Sequence, residues 1–295
     1  MGKNKEEKIT EYNFFKNNCK EIKENLKDLK VIYTDLDGTL FNHKGCIIKD
    51  YRDDYYFDAL ELLPAIADKN LDVVLVSGRN KFQLKCSAQI IGLKNYISEL
   101  GAELVYNLGE EVYVTFGHNS AKYDLTYNGK DLKKIIEILK ENFPKKVEGK
   151  MEWSRYRSYN ALLFGEIDLP KANEILKAEG YKGLTLVDNG LSSLEKLDLD
   201  IERLHIYNLM PSGVNKSNGI KLDRKIRNFD VNNCIALGDS MEDLKMAFEV
   251  KYLFLMRNAL EHEDLSGELN KYDNVYITEC FMNRGWTEVI EYLLN

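Results

Sequence analysis

The chain is poor in the residues that mark several protein classes: among 295 residues there are five cysteines, four histidines, four prolines and two tryptophans. Cys19, Cys46, Cys86, Cys234 and Cys280 are scattered, odd in number and without a CxxC pair. That excludes a disulfide framework and a thiolate zinc site, and predicts reduced thiols in a cytoplasmic protein. His118 and His205 lack metal-ligand spacing. No stretch of about 18 apolar residues occurs, so no membrane partner is expected. Residues 1–30 are rich in Lys, Glu and Asn, with no apolar stretch of a secretory signal. No Gly-x-Gly-x-x-Gly follows the first apolar run, which argues against a dinucleotide site. Positive charge is also short, 41 Lys and Arg against 48 Asp and Glu, and the net charge of -7 argues against nucleic acid as the main partner.

What remains, 44% apolar and 30% charged residues, is the composition of a globular protein long enough for two domains. Apolar residues at helical spacing predict an N-terminal helix over 5–28. Strands are expected at 30–34 and 73–76, helices at 53–69 (restarted or kinked at Pro64) and 80–91, and further strand at 96–97 and 101–105. This alternation of helices with near-continuous apolar strands predicts a parallel sheet covered on both faces. The pattern changes near Asn107. From 107 to 206 we expect an inserted α+β domain: strand 112–116, helix 130–142, strand 157–164, helix 170–179, strand 184–187. Trp153 to Tyr159 alternates as a strand with one polar face, which puts Arg155 and Arg157 on that face. The parallel pattern resumes with helix 217–228, strand 234–237, a helix from Ser240, strands 252–256 and 275–277, and helix 287–294. The expected division is a core of 1–106 and 207–295, residues 1–28 being a helical extension, around an insertion of 107–206.

Four short segments lie near strand or helix ends that would share one edge of the sheet. They are Asp35-Leu36-Asp37-Gly38-Thr39, Ser77-Gly78-Arg79, Lys216, and Gly238-Asp239-Ser240-Met241-Glu242-Asp243. Open α/β sheets put their chemistry at the carboxyl edge of the strands. Carboxylates gathered there repel one another and suit a hard cation such as Mg2+. A lysine and hydroxyl or backbone donors aimed at the same place suit a phosphate. An aspartate can also serve as nucleophile, splitting one displacement into two. The chemistry suggested is Mg2+-assisted phosphoryl transfer.

These segments, in this order, resemble the four motifs of the haloacid dehalogenase (HAD) superfamily. The insertion between the second and third resembles the type-II cap of its Cof-like and sucrose- or mannosylglycerate-phosphatase-like branches. The resemblance implies a Rossmann-like parallel-sheet core with an inserted α+β cap. It implies that Asp35 attacks phosphorus and that Asp37 protonates the leaving oxygen and then activates water. Mg2+ would be held by Asp35, the main-chain carbonyl of Asp37 and Asp239, with Asp243 ligating or orienting the ion's water. Ser77 and Lys216 would hold phosphoryl oxygens, assisted by the backbone at Gly78. Arg79 is expected to bind substrate or to meet a local carboxylate, and Asn258 to touch the ligand or to cap a turn. Arg155 and Arg157 would form a substrate wall or the outer face of the cap sheet.

Two departures from Cof-like patterns stand out: Glu242 replaces an Asn, and Leu100 replaces the Asn of Glu-Asn-Gly in Glu99-Leu100-Gly101. Glu242 is expected to be a solvated first-turn helix residue. The implied activity is Mg2+-dependent hydrolysis of a small phosphorylated metabolite, such as a sugar phosphate, through an aspartyl-phosphate. The alternatives are a phosphomutase or phosphotransferase using the same aspartate, and a non-catalytic ligand-binding protein of this fold. Oligomeric state is not legible in the sequence.

Overall fold

The computed structural model describes residues 12–115, 122–191, 197–261 and 265–295. Residues 5–11 of the expected N-terminal helix, residue 116 and His118 lie outside them. In chain order the elements are α1 (Phe15–Asn25), β1 (Val31–Thr34), α2 (Asp58–Asp68), β2 (Asp72–Val76), α3 (Lys81–Ile90), β3 (Asn95–Ser98), β4 (Glu103–Tyr106) and β5 (Glu111–Val114). There follow α4 (Lys130–Asn142), β6 (Val147–Glu148), β7 (Ala161–Gly165), α5 (Leu169–Ala178), β8 (Leu184–Leu191) and β9 (His205–Pro211). The remainder is α6 (Lys216–Arg227), β10 (Cys234–Gly238), α7 (Met241–Leu244), β11 (Tyr252–Leu255), α8 (Leu265–Glu268), β12 (Val275–Ile277) and α9 (Met282–Leu294).

A large sheet runs β12-β11-β10-β1-β2-β3-β4-β5, parallel from β12 to β3 and antiparallel at β4 and β5. Its inner strands are apolar on both faces because both faces are covered. On one side Ile32, Leu75, Ile235 and Phe254 pack on Phe15, Ile66, Leu84 and Trp286 of the helices. On the other, Tyr33, Val74, Ala236 and Leu253 meet Ile220 of α6 and Leu244 of α7. A second, antiparallel sheet runs β6-β7-β9-β8. Ile135 and Leu139 of α4 and Ala172 and Leu176 of α5 cover one of its faces. Met210 and Val187, on its other face, meet Leu100, Ala102 and Val214 on the large-sheet side. The fold is thus α/β: a Rossmann-like sheet interrupted by an α+β unit. Among the described residues no helix is long and apolar enough to cross a membrane.

Several elements differ from expectation. The strand expected at 112–116 as part of the insertion is β5 of the large sheet. The change of pattern near Asn107 is a hairpin turn, with Asn107, Leu108 and Gly109 all at positive φ, not a domain boundary. Residues 207–211, expected in the core, belong to β9 of the small sheet, and the chain returns to the core only after Pro211. Residues 153–159 form no strand. Met151–Ser154 is a 3-10 turn, and the backbone N–H groups of 158–160 bond the Glu99 carboxylate instead of a neighbouring strand. Arg155 and Arg157 therefore share no strand face. Helix α2 runs unbroken through Pro64, held by burial of Ala59 and Ile66, and α9 begins at Met282, well before residue 287.

Behind the sheet, the fully buried Asp223 carboxylate accepts from the hydroxyls of Tyr33 and Tyr106, each at 2.5 Å, and from Arg227. Burial, reinforced by Asp223, pushes the Tyr33 hydroxyl well above its ordinary pKa, so it stays a donor. Asp223→Ala would leave two hydroxyls and Nη2 of Arg227, whose Nη1 still pairs with Asp72, without their acceptor. We expect a loss of about 3–5 kcal/mol in urea unfolding, against about 1.5–3 kcal/mol for Tyr33→Phe, which deletes one bond to a charged group.

Candidate active site

β10, β1 and β2 are adjacent and parallel, so their carboxyl ends deliver Asp239, Asp35 and Ser77 side by side, about 4.8 Å per strand step. The ladder continues past the strands: Asp35 N–H donates to the Leu237 carbonyl at 2.9 Å, and Ser77 N–H to that of Ile97 at 3.0 Å. Gly38 closes the turn after β1 at φ +87, and a Cβ there would lie 2.2 Å from Asp239 Oδ2. Only glycine allows the two acidic loops to approach this closely.

Lys216 is the first residue of α6, where a positive charge opposes the helix dipole. Two carboxylates compensate: Lys216 Nζ donates to Asp35 Oδ1 at 2.5 Å and to Asp243 Oδ1 at 2.6 Å. Burial lowers the lysine pKa, but Asp243 and Asp35 more than reverse this and keep it charged. α6 can sit so close because Gly101, at φ +102, passes against the Asn215 carbonyl, only 2.0 Å from where a Cβ would stand.

The acids are not equivalent. Asp243 Oδ2 accepts from the N–H groups of Asp239 and Ser240 and from Ser240 Oγ, in a capping box that starts α7. With Oδ1 taken by Lys216, Asp243 is a brace for the lysine and the loop more than a free ligand. Asp239 accepts from Thr39 Oγ1 at 3.3 Å and Asn258 Nδ2 at 2.9 Å, and Asp35 uses one oxygen on Lys216. Both retain lone pairs for a cation. Burial raises the Asp35 pKa to about 7, against the pull of Lys216 and with the push of Asp243. Burial, then Asp35 and Asp243, raise that of Asp239 well above the carboxylate range.

Asp35, Asp239 and Asp243 have ligand oxygens within 4.8 Å of one another. Three carboxylates face one ammonium, so full ionisation leaves two negative charges in excess. An all-oxygen donor set with that excess fits a hard divalent cation.

Asp37, 44% exposed at its side chain, is held bidentately by Arg79, with Nε to Oδ2 at 2.8 Å and Nη2 to Oδ1 at 2.5 Å. Arg79 thus meets a local carboxylate, and also reaches Ser87 Oγ and lies over the Phe41 ring. Ser77 Oγ accepts from the Arg79 N–H at 3.2 Å. Asn258 is buried behind Asp239, donating to it and to the Gly38 carbonyl while accepting from the Met282 N–H, so it orients the loop. Arg155 is exposed within the small-sheet unit, stacked on Tyr127. Arg157 crosses to the core and donates to the Gly78 carbonyl at 3.0 Å. Glu242 is not solvated: it is 7% exposed and paired with Lys245.

Glu99 was not foreseen as a site residue. Fully buried, it accepts from three consecutive N–H groups, Ser158, Tyr159 and Asn160, at 2.8, 2.9 and 3.1 Å. Its local mark is the Glu and Gly of Glu99-Leu100-Gly101, shared with the Glu-Asn-Gly pattern, which does not say what the carboxylate binds. Glu99, Leu100 and Gly101 all have positive φ. Leu100, where the resembled pattern has Asn, tolerates this because its side chain is buried in the cluster with Met210 and Val214.

The acidic cluster generates a pH-dependent prediction. A carboxyl whose folded pKa is raised costs stability as pH climbs from the ordinary 3.8 to about 7. A cation that relieves the repulsion therefore stabilises more at high pH. We expect saturating Mg2+ to raise Tm by about 5 °C at pH 8 and much less at pH 5. Asp239→Asn should raise the metal-free Tm at pH 8 and remove most of the shift. Equal shifts at both pH values would contradict the assignment.

The profile of the haloacid dehalogenase-like hydrolases matches residues 32–262. A curated glucosyl-3-phosphoglycerate/mannosyl-3-phosphoglycerate phosphatase from Persephonella marina is 25% identical over 291 residues, covering 90% of this chain and 97% of that protein. The sucrose-phosphatase of Synechocystis sp. PCC6803, solved with sucrose and phosphate, has the same fold at a TM-score of 0.63 and 14% identity, over 90% of this chain and 97% of that one. A HAD-superfamily phosphatase from Bacteroides thetaiotaomicron aligns at a TM-score of 0.61 and 14% identity, over 90% and 96% of the chains. With the match spanning most of its length and the motif residues gathered at one sheet edge, the chain belongs to the haloacid dehalogenase-like hydrolase family.

Proposed function

We propose that the protein is a phosphatase that hydrolyses a small phosphomonoester by way of a phosphorylated Asp35. The carrying observation is the convergence of Asp35, Lys216 and Asp239 at the carboxyl edge of β1 and β10, with the exposed Asp37 two residues beyond Asp35. The Asp35 oxygen not bonded to Lys216 attacks phosphorus, while Lys216 fixes the other oxygen and neutralises charge on the transferring group. Ser77 Oγ accepts from Arg79 N–H, which leaves its own hydrogen for a phosphoryl oxygen. Asp37 frees one oxygen from the Arg79 fork, takes up a proton there, gives it to the leaving oxygen and later takes one from water. Asp35, Asp239 and the Asp37 carbonyl would hold Mg2+. Bound there, the ion would offset the two excess charges and polarise the phosphoryl oxygens.

The small-sheet unit lies over this edge through Arg157 and the cluster of Leu100 with Met210, which favours small substrates over macromolecules. Similarity to a glycosyl-3-phosphoglycerate phosphatase and to a sucrose-phosphatase supports a sugar-linked phosphomonoester as the substrate class.

The test is phosphate release from glucose 6-phosphate, mannose 1-phosphate, glucosyl-3-phosphoglycerate, sucrose 6-phosphate and acetyl phosphate, with and without Mg2+. Release should require the cation and fall about 10^3-fold or more in Asp35→Asn. Retention of wild-type rates in that variant would contradict the proposal. Transfer of the phosphoryl group to a second sugar hydroxyl, in place of release, would reveal a mutase.

A further inference from the structure

The small-sheet face that meets the core carries two buried amides whose hydrogen-bonding capacity is unused. Asn208, on β9, is 1% exposed, and neither its Oδ1 nor its Nδ2 has a partner among the described residues. Asn160, just before β7, is fully buried; its Oδ1 accepts from Arg157 Nη1 at 2.8 Å, and its Nδ2 has no partner there either. Buried polar groups are almost always paired, so three orphaned amide atoms in one region call for an explanation.

Register places both on the same face. Asn208 lies opposite Leu162 of β7 and Val187 of β8, and Asn160 is two residues before Leu162. Met210, two residues beyond Asn208, packs with Leu100 and Val214 of the core, and Val187 joins that cluster. The amides therefore share the face turned toward the catalytic edge. Asn160 is tied to that edge. The Arg157 group that holds its Oδ1 also donates to the Gly78 carbonyl, one residue past Ser77, and Glu99 fixes the Asn160 N–H. With Oδ1 committed to Arg157, the Asn160 amide is oriented with its Nδ2 free to donate.

We infer that Asn208 and Asn160 bind the hydroxyl-rich leaving group of the substrate, an inference that rests on the phosphatase reading above. A free amide oxygen accepts an O–H and an amide nitrogen donates to a hydroxyl oxygen, which is what a neutral polyol or sugar requires. The free Asn208 Oδ1 is an acceptor, which suits an O–H donor and not an anionic oxygen. At 1% exposure Asn208 is reached only when the small-sheet unit lifts from the core. Closure on the substrate then supplies the partners these amides lack and excludes water.

The test compares the best polyol phosphate of the panel with acetyl phosphate, whose leaving group has no hydroxyl. In Asn208→Leu, kcat/KM for the polyol ester should fall at least ~10-fold further than that for acetyl phosphate, the loss expected when a buried hydrogen bond to substrate is removed. Asn208→Ala and Asn160→Ala should show the same selective loss. Equal losses on both substrates, or none, would overturn the inference. So would a wild-type enzyme that hydrolyses acetyl phosphate and none of the polyol phosphates, although the phosphatase reading would stand. Failure of the wild type on every substrate, acetyl phosphate included, would instead sink the phosphatase reading on which the inference depends.

Discussion

The site depends on one buried ion triad, Lys216 held between Asp35 and Asp243. Three acids buried together at the edge of an apolar sheet would be unstable without a cation. The lysine removes part of that charge from within the chain and leaves an excess matched to a divalent ion. Its position at the start of α6, unfavourable by the dipole rule, makes sense only because the carboxylates precede it in space. Asp243 is therefore more than a third acid. Its second oxygen starts α7 and fixes the Asp239 backbone, so a single carboxylate links the lysine, the Asp239 loop and the helix that follows.

Much of the remaining architecture keeps these groups close. Gly38 admits the Asp239 carboxylate, and Gly101 admits the N-terminus of α6. The segment Glu99–Gly101 accepts left-handed backbone at three successive positions, one of them a leucine. Burial of the Leu100 side chain between the two sheets offsets that strain, and the Glu99 carboxylate binds backbone of the other unit. The same turn thus supports Lys216 on one side and docks the small sheet on the other.

The core site was legible because its signals are local. A strand ending in Asp-x-Asp-Gly-Thr and another ending in Gly-Asp-Ser give the edge, and the helix expected from Ser240 is α7. Parallel strands show as apolar runs because both faces are buried. The expected edges of the insertion failed for a different reason. β5 is exposed along its whole length and joins the large sheet through the hairpin with β4, while β9 is buried over its last five residues and is placed by pairing with β7, 40 or more residues earlier; neither carries an alternation that names its sheet. Residues 153–159 do alternate, yet the N–H groups of Trp153, Arg155 and Arg157 bond carbonyls three residues back, and those of Ser158, Tyr159 and the following Asn160 go to Glu99, 59 to 61 residues earlier. Asn258 and Arg79 were recognised as site residues, but only the structure separates those facing solvent from those bracing an acid.

The central claim is that Asp35 becomes phosphorylated. The most direct measurement is incubation with acetyl phosphate and Mg2+, rapid quenching, borohydride reduction of any acyl phosphate, and peptide mass spectrometry. The account predicts homoserine at position 35, with unmodified aspartate at 37, 239 and 243. Reduction at another aspartate, or turnover with no acyl phosphate at any position, would contradict it.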